Sequence, residues 1–150
     1  LPMSETPTDL MAFYPEGLCR VGEISVDKMS MMPKNLMLAP LVKTLPSCVE
    51  AILNADLVIL GPGSFLTSVI PPLLVRDISN ALDQTNAHRV FIDNIVAEDS
   101  PAAALTLDEK LTSIEDNVDC RDKLIAALNI CISKASNHIK IAQAAALRAN

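Results

Sequence analysis

Residues 61–64 read Gly-Pro-Gly-Ser and are followed by the hydroxyl pair Thr67 and Ser68, the stretch of this chain whose residue types and spacing best suit chemistry. Gly61 and Gly63 remove the side chains that would hold an anion away from the backbone, Pro62 stiffens the turn, and Ser64, Thr67 and Ser68 add hydroxyl donors. A phosphate or a sugar hydroxyl fits such a cradle. The turn follows the apolar run Leu57, Val58, Ile59, Leu60. In open parallel sheets, ligands bind beyond the carboxyl ends of the strands, where helix amino termini direct free amides outward. One anion at such a terminus gains only about 0.3–1 kcal/mol, up to ~2 when partly buried, whereas micromolar affinity needs about 8 kcal/mol. The loop therefore needs help from other groups. It is not a P-loop, having no Gly-Lys-Ser/Thr ending, and it is not GxGxxG, since Leu66 stands where the third glycine belongs. The same glycines also serve a plain structural corner at a strand end, so spacing alone leaves both readings open.

The next apolar run, residues 89–96, ends its strand at Asp93 and Asn94, which parallel geometry brings close to the glycine turn. Asn94 is placed to bond a base or ribose, or else to cap its own turn. Catalytic groups are thin. His88 lies in a polar stretch and His138 in an apolar-polar alternation, neither beside a serine or cysteine in a nucleophile context, so both are expected at the surface. Glu98, Asp99, Asp108, Glu109, Glu115 and Asp116 fall mostly on helix starts or faces, where solvation or the helix dipole suffices, and Asp56 reads as a solvated boundary charge. Cys19, Cys48, Cys120 and Cys131 show no CxxC spacing, which favours reduced thiols over a zinc site or a disulfide framework. A binding role is thus expected in preference to catalysis.

The elements that position these residues follow from periodicity. With 150 residues, half of them hydrophobic, one globular domain spanning 1–150 is expected, and no apolar stretch approaches the roughly 20 residues of a membrane span. The net charge of −6 with scattered lysines and arginines disfavours nucleic acid. Residues 10–27 predict a strand, a Pro-Glu-Gly turn and a second strand, with Ile24 and Val26 on one face of "GEISVD". A loop follows, with methionines as irregular core filling and a short strand at Leu36–Leu38. Ser47 is placed to cap a helix that feeds the strand "DLVIL", whose unbroken apolarity predicts cover on both faces. Leu74, Ile78 and Leu82 then trace a helix before the strand at Arg89, together a βαβ unit of an α/β fold. Thr106 and Glu109 form a capping box ahead of a helix striped by Leu107, Leu111, Ile114 and Val118. From residue 121 onward, strand and helix signals mix.

Three pieces taken together, "LPMSETPTDLMA", "ADLVILGPGSFLTSVIPPLL" and "VFIDNI", resemble the gluconeogenesis factor family, bacterial cytoplasmic proteins related to 2-phospho-L-lactate transferase. The resemblance runs from Leu1 to about Ile141 and implies a Rossmann-like parallel sheet with flanking helices, of which the amino-terminal part is missing here. It implies a nucleotide-sugar ligand, UDP-N-acetylglucosamine or another UDP-sugar, and a regulatory role in cell shape and wall synthesis during gluconeogenic growth. Homo-oligomers and wall-synthesis regulators are the partners it implies. Gly61, Pro62, Gly63, Ser64, Thr67, Ser68 and Asn94 are the ligand-binding residues it supports, with no catalytic residue and no metal ligand. The transferase branch of the resemblance implies a different reaction, in which phospholactate leaves a guanosine diphosphate carrier for a deazaflavin, with a divalent cation as helper. The family's early glycine-rich loop and its Asp-Asn-Gly-Gly stretch have no counterpart in this sequence, and where many members carry a Pro-Gly-Glu-Thr element after "FIDNI" this chain reads "VAEDSPAAALT", as in a subgroup that lacks it. A structural α/β fragment that binds no ligand is the third reading.

Overall fold

The computed structural model describes residues 1–118, 126–132 and 139–143. Two sheets organise them. The first is antiparallel, ordered β2-β1-β3, from β1 (Asp9–Phe13), β2 (Cys19–Val21) and β3 (Asn35–Ala39). The second runs β4-β5-β6-β7, from β4 (Leu57–Leu60), β5 (His88–Ile92), β6 (Ala126–Ile132) and β7 (Ile139–Gln143). Its pairs β4–β5 and β5–β6 are parallel and β6–β7 is antiparallel. The α/β class therefore holds, and the hairpin and the short strand near Leu36 join in an antiparallel sheet of their own, a pairing that local patterning did not specify.

The hairpin around Pro15–Gly17 forms, but "GEISVD" is not its second strand. Gly22 takes φ 85°, which leaves the strand path, and its carbonyl accepts from Ser25 N and Val26 N to start helix α1 (Glu23–Asp27). Ile24 is 71% exposed while Val26 is fully buried, so the two do not share a face. The short strand near Leu36 is present within β3. Of the methionines, Met29 and Met32 pack on the core, whereas Met31 and Met37 are exposed.

Ser47 does not cap α2 (Pro46–Leu53). Leu45 holds the cap position and Pro46 opens the helix, where a missing N–H costs nothing and the fixed φ already suits the helix. After β4 the chain makes one wide π-turn at Phe65–Val69 and continues into α3 (Ile70–Leu73) and α4 (Arg76–Gln84). Ile78 and Leu82 face inward on α4 as the spacing predicts, and Leu74 ends α3. The capping box forms as expected. Thr106 Oγ1 accepts from Glu109 N, and Glu109 Oε2 accepts from Thr106 N at 2.7 Å. That amide and then the Thr106 hydroxyl hold the Glu109 carboxyl below its ordinary value. Helix α5 (Leu107–Val118) follows, burying Lys110, Ile114 and Val118.

The core gathers Leu10, Ala12 and Leu38 from the antiparallel sheet, Phe65, Leu66, Val69, Ile70 and Leu73 from the segment after the glycine turn, and Phe91 and Ile114 beyond. Phe65 and Phe91 meet edge to face, with ring centroids 6.1 Å apart, which ties the turn to β5. Strand β4 departs from expectation. Val58 and Leu60 pack against the core, but Leu57 and Ile59 are 51% and 53% exposed, so one face is bare rather than covered. His88 opens β5 and is exposed, Cys19 and Cys48 are free thiols, and His138 and Cys120 lie outside the described residues. Among the described residues no helix is long and apolar enough to cross a membrane.

Candidate functional site

The chain leaves β4 at Gly61, whose φ of +80° few side-chain-bearing residues adopt. A Cβ there would stand 2.6 Å from the Ile92 carbonyl oxygen, so the absent side chain lets the turn lie directly on β5. Pro62 forms the exposed tip. At Gly63 the backbone is held from both sides: its N–H donates to Asn94 Oδ1 at 3.2 Å, and its carbonyl accepts from Asn94 Nδ2 at 3.0 Å. Asn94 thus acts on the glycine turn itself, the neighbouring strand end gripping the loop through one amide. Replacing it with alanine leaves both groups of the part-buried Gly63 without this partner. Asn94→Ala is expected to destabilise the protein by about 1–3 kcal/mol, read by urea unfolding.

The hydroxyls are engaged by acids. Ser64 Oγ lies 3.1 Å from both Asp27 Oδ1 and Glu98 Oε2, and its single proton serves one of them at a time. Thr67 Oγ1 donates to the other Asp27 oxygen at 3.1 Å. Glu98 also accepts from Phe65 N at 3.1 Å and from Ser100 Oγ at 2.8 Å. One carboxylate therefore already occupies the amide at the start of the helical segment, the position where an anion would otherwise sit. The ammonium of Lys110 is 2.8 Å from Asp93 Oδ1, 3.9 Å from Glu98 Oε1, and 5.7 Å above the Phe65 ring. Asp27 acts on Tyr14 as well: burial first pushes that phenol above its ordinary value, Arg20 draws it back, and Asp27 adds to the rise.

Sequence reasoning placed Gly61, Gly63, Ser64, Thr67, Ser68 and Asn94 around one turn, and they do converge. It missed Asp27, Glu98 and Lys110. Glu98 was expected to be solvated, yet its side chain is only 9% exposed because the Ser64 and Phe65 donors draw it inward. Lys110 had a legible signal, since it falls three residues after Leu107 on the apolar stripe of α5. A lysine on such a stripe needs a buried partner.

Beside the turn opens a cavity of about 710 Å3, lined among others by Gly22, Glu23, Thr67, Ser68, Pro71 and Pro72. That volume suits a drug-sized or nucleotide-sized ligand. Ser68 joins it to the turn, because a Cβ on Gly63 would meet Ser68 Cβ at 3.2 Å. Among the described residues no group of three His, Cys, Asp or Glu side chains gathers as a metal-holding set.

Fold and site define an α/β protein with a glycine turn at the carboxyl end of a parallel strand, gripped by the next strand end, while Thr67 and Ser68 just beyond it line a cavity that residues 61–64 and Asn94 do not reach. The chain belongs to the CofD family: the family model described as 2-phospho-L-lactate transferase CofD matches residues 1–147. It is 44% identical over 117 residues to a gluconeogenesis-factor relative of Pasteurella multocida, covering 78% of this chain and 38% of the relative. It is 41% identical over 146 residues to one of Yersinia pestis, covering 95% of this chain and 48% of that protein. The gluconeogenesis factor of Halalkalibacterium halodurans is 35% identical over 78% of this chain and 37% of its own length. A crystal structure of a Bacillus halodurans protein superposes with a TM-score of 0.80 at 32% identity, covering 89% of this chain and 44% of the other. The chain thus spans half or less of the length of these relatives.

Proposed function

We propose that this protein is a gluconeogenesis factor that binds a nucleotide-sugar of the UDP-sugar class at the glycine turn and its cavity, acting as a cytoplasmic regulator of cell shape and wall synthesis. The observation that carries the reading is the grip of Asn94 on Gly63, which presets the turn next to a cavity that Thr67 and Ser68 line. A preset loop loses less conformational entropy when it takes up a ligand, which favours binding. Ser68, exposed and at the junction of turn and cavity, is the hydroxyl assigned to the ligand, whereas those of Ser64 and Thr67 already serve carboxylates.

Asp27 and Glu98 hold Ser64, Thr67 and Phe65 N, so the reading puts the ligand's diphosphate on the Ser68 side of the turn. Calorimetric titration of UDP-N-acetylglucosamine and, separately, of GDP into the 150-residue protein tests the reading. The expected result is a UDP-sugar affinity at least tenfold above that for GDP, reduced several-fold by Ser68→Ala. GDP binding as tightly as the UDP-sugar points to the transferase branch instead.

A further inference from the structure

The cavity beside the glycine turn carries two carboxylates that hold nothing else in the fold. Asp9 at the start of β1 and Glu23 in the first turn of α1 both line it, and neither side chain has a hydrogen bond or ion pair among the described residues. No Lys, Arg or His lines it with them. Its hydroxyls divide: Thr8 donates to the Pro40 carbonyl and Thr67 to Asp27, whereas those of Ser25 and Ser68 have no partner among the described residues. Much of the remaining wall is apolar, with Leu10, Leu38 and Pro71 buried.

Ionised carboxylates accept hydrogen bonds and donate none. Such a lining repels a phosphate or an acid and complements a donor that carries no negative charge. A pyranose offers that combination, with hydroxyl donors around its rim and C–H groups on its faces. We propose that the Asp9–Glu23 end of the cavity holds the uncharged sugar ring of the ligand, and that these two carboxylates select neutral sugars against acidic ones. On the UDP-sugar reading, on which this rests, the ligand's two ends part: the diphosphate stays towards Ser68 and the sugar lies towards Asp9 and Glu23. A sugar hydroxyl donating to a charged carboxylate makes one of the stronger hydrogen bonds. A carboxylate on the sugar, set beside the same two acids, meets like charge, and repulsion of a wrong ligand is as much a source of specificity as attraction of the right one.

The test is calorimetric titration of UDP, UDP-N-acetylglucosamine and UDP-glucuronate into the wild type and the double variant Asp9→Asn, Glu23→Gln. Both positions are exposed and the amides keep the shape of the acids, so the variant is expected to melt with the wild type. The wild type should bind UDP-N-acetylglucosamine at least tenfold more tightly than UDP-glucuronate, about 1.4 kcal/mol, and the variant should bring the two within threefold. UDP, which has no sugar, is the reference for the diphosphate's share. Equal wild-type affinities for the two sugar nucleotides, or a preference that survives in the variant, overturn the proposal and leave UDP-sugar binding standing. No binding of any of the three by the wild type would sink the UDP-sugar reading instead, and free sugars then decide this proposal. N-acetylglucosamine should shift the amide NMR signals of residues 8, 9, 23 and 25 and glucuronate should not; equal shifts from both, or none from N-acetylglucosamine, overturn it.

Discussion

Lys110→Met is expected to destabilise the protein by about 3 kcal/mol, since removing one partner of a buried ion pair leaves the others uncompensated. Asp93 and Glu98 would then share a pocket with side chains 15% and 9% exposed and no cation between them. For a chain of this length that corresponds to a fall in melting temperature of roughly 10 °C. The effect should also spread. Glu98 is the carboxylate that fixes Ser64 and Phe65 N, so freeing it loosens the start of the helical segment that follows the turn. The double variant Lys110→Met, Asp93→Asn removes the charge closest to the lost ammonium, keeps an Oδ1 acceptor in its place and is expected to recover a large part of the loss. A Lys110→Met protein that melts with the wild type would show that the pair is solvated and holds nothing.

Gly61→Ala should cost about 3 kcal/mol, at the upper end of what a strained backbone residue costs. Two effects add at this position. The φ of +80° is unfavourable for a residue with a Cβ, and that Cβ would lie 2.6 Å from the backbone oxygen of Ile92, which cannot rotate away as a side chain could. Relief requires β4 and β5 to separate at their carboxyl ends, which would also pull Gly63 from Asn94. Gly63→Ala is the internal control, because its Cβ meets Ser68 Cβ at 3.2 Å and needs a shift of only a few tenths of an ångström. Urea unfolding of the two variants side by side should therefore show a clear gap between them. Equal losses would mean that the tight approach to β5 is not what requires glycine at 61.

Much of the architecture was readable because it rests on local signals. The Thr106–Glu109 box, the Ile78 and Leu82 spacing, and the strands on either side of the glycine turn each depend on neighbours in sequence. What escaped depends on distant contacts or on the backbone. Residues 23–27 alternate like a strand, but a positive φ at Gly22 turns them into a helix, and alternation over five residues cannot distinguish the two. The bare face of β4 was illegible for the opposite reason. Its unbroken apolarity points to cover on both faces, but what lies over Leu57 and Ile59 is set by segments distant in sequence, which a local run of four residues does not specify.

The candidate site divides the same way. The glycines, hydroxyls and Asn94 were visible as residue types at a strand end, while Asp27 and Glu98 reach Ser64 from 37 and 34 residues away. Those acids change the chemistry assigned to the loop. A sequence reading offers free hydroxyls and a free helix start to an anion, whereas the folded chain has already given Phe65 N and the Ser64 hydroxyl to carboxylates. Under the proposed binding role, Ser68 and the cavity become the side from which the ligand is received.

Calorimetric titration of UDP-N-acetylglucosamine into the wild type and Gly63→Val, with circular dichroism and melting of both, tests the central claim most directly. A bulky side chain at 63 fills the junction between the turn and Ser68, so the account predicts at least a tenfold loss of affinity in a variant that keeps its secondary structure, with Gly63→Ala intermediate. Undiminished binding by a folded Gly63→Val protein, or no binding by the wild type, would contradict it and leave the glycine turn as the corner where a strand ends.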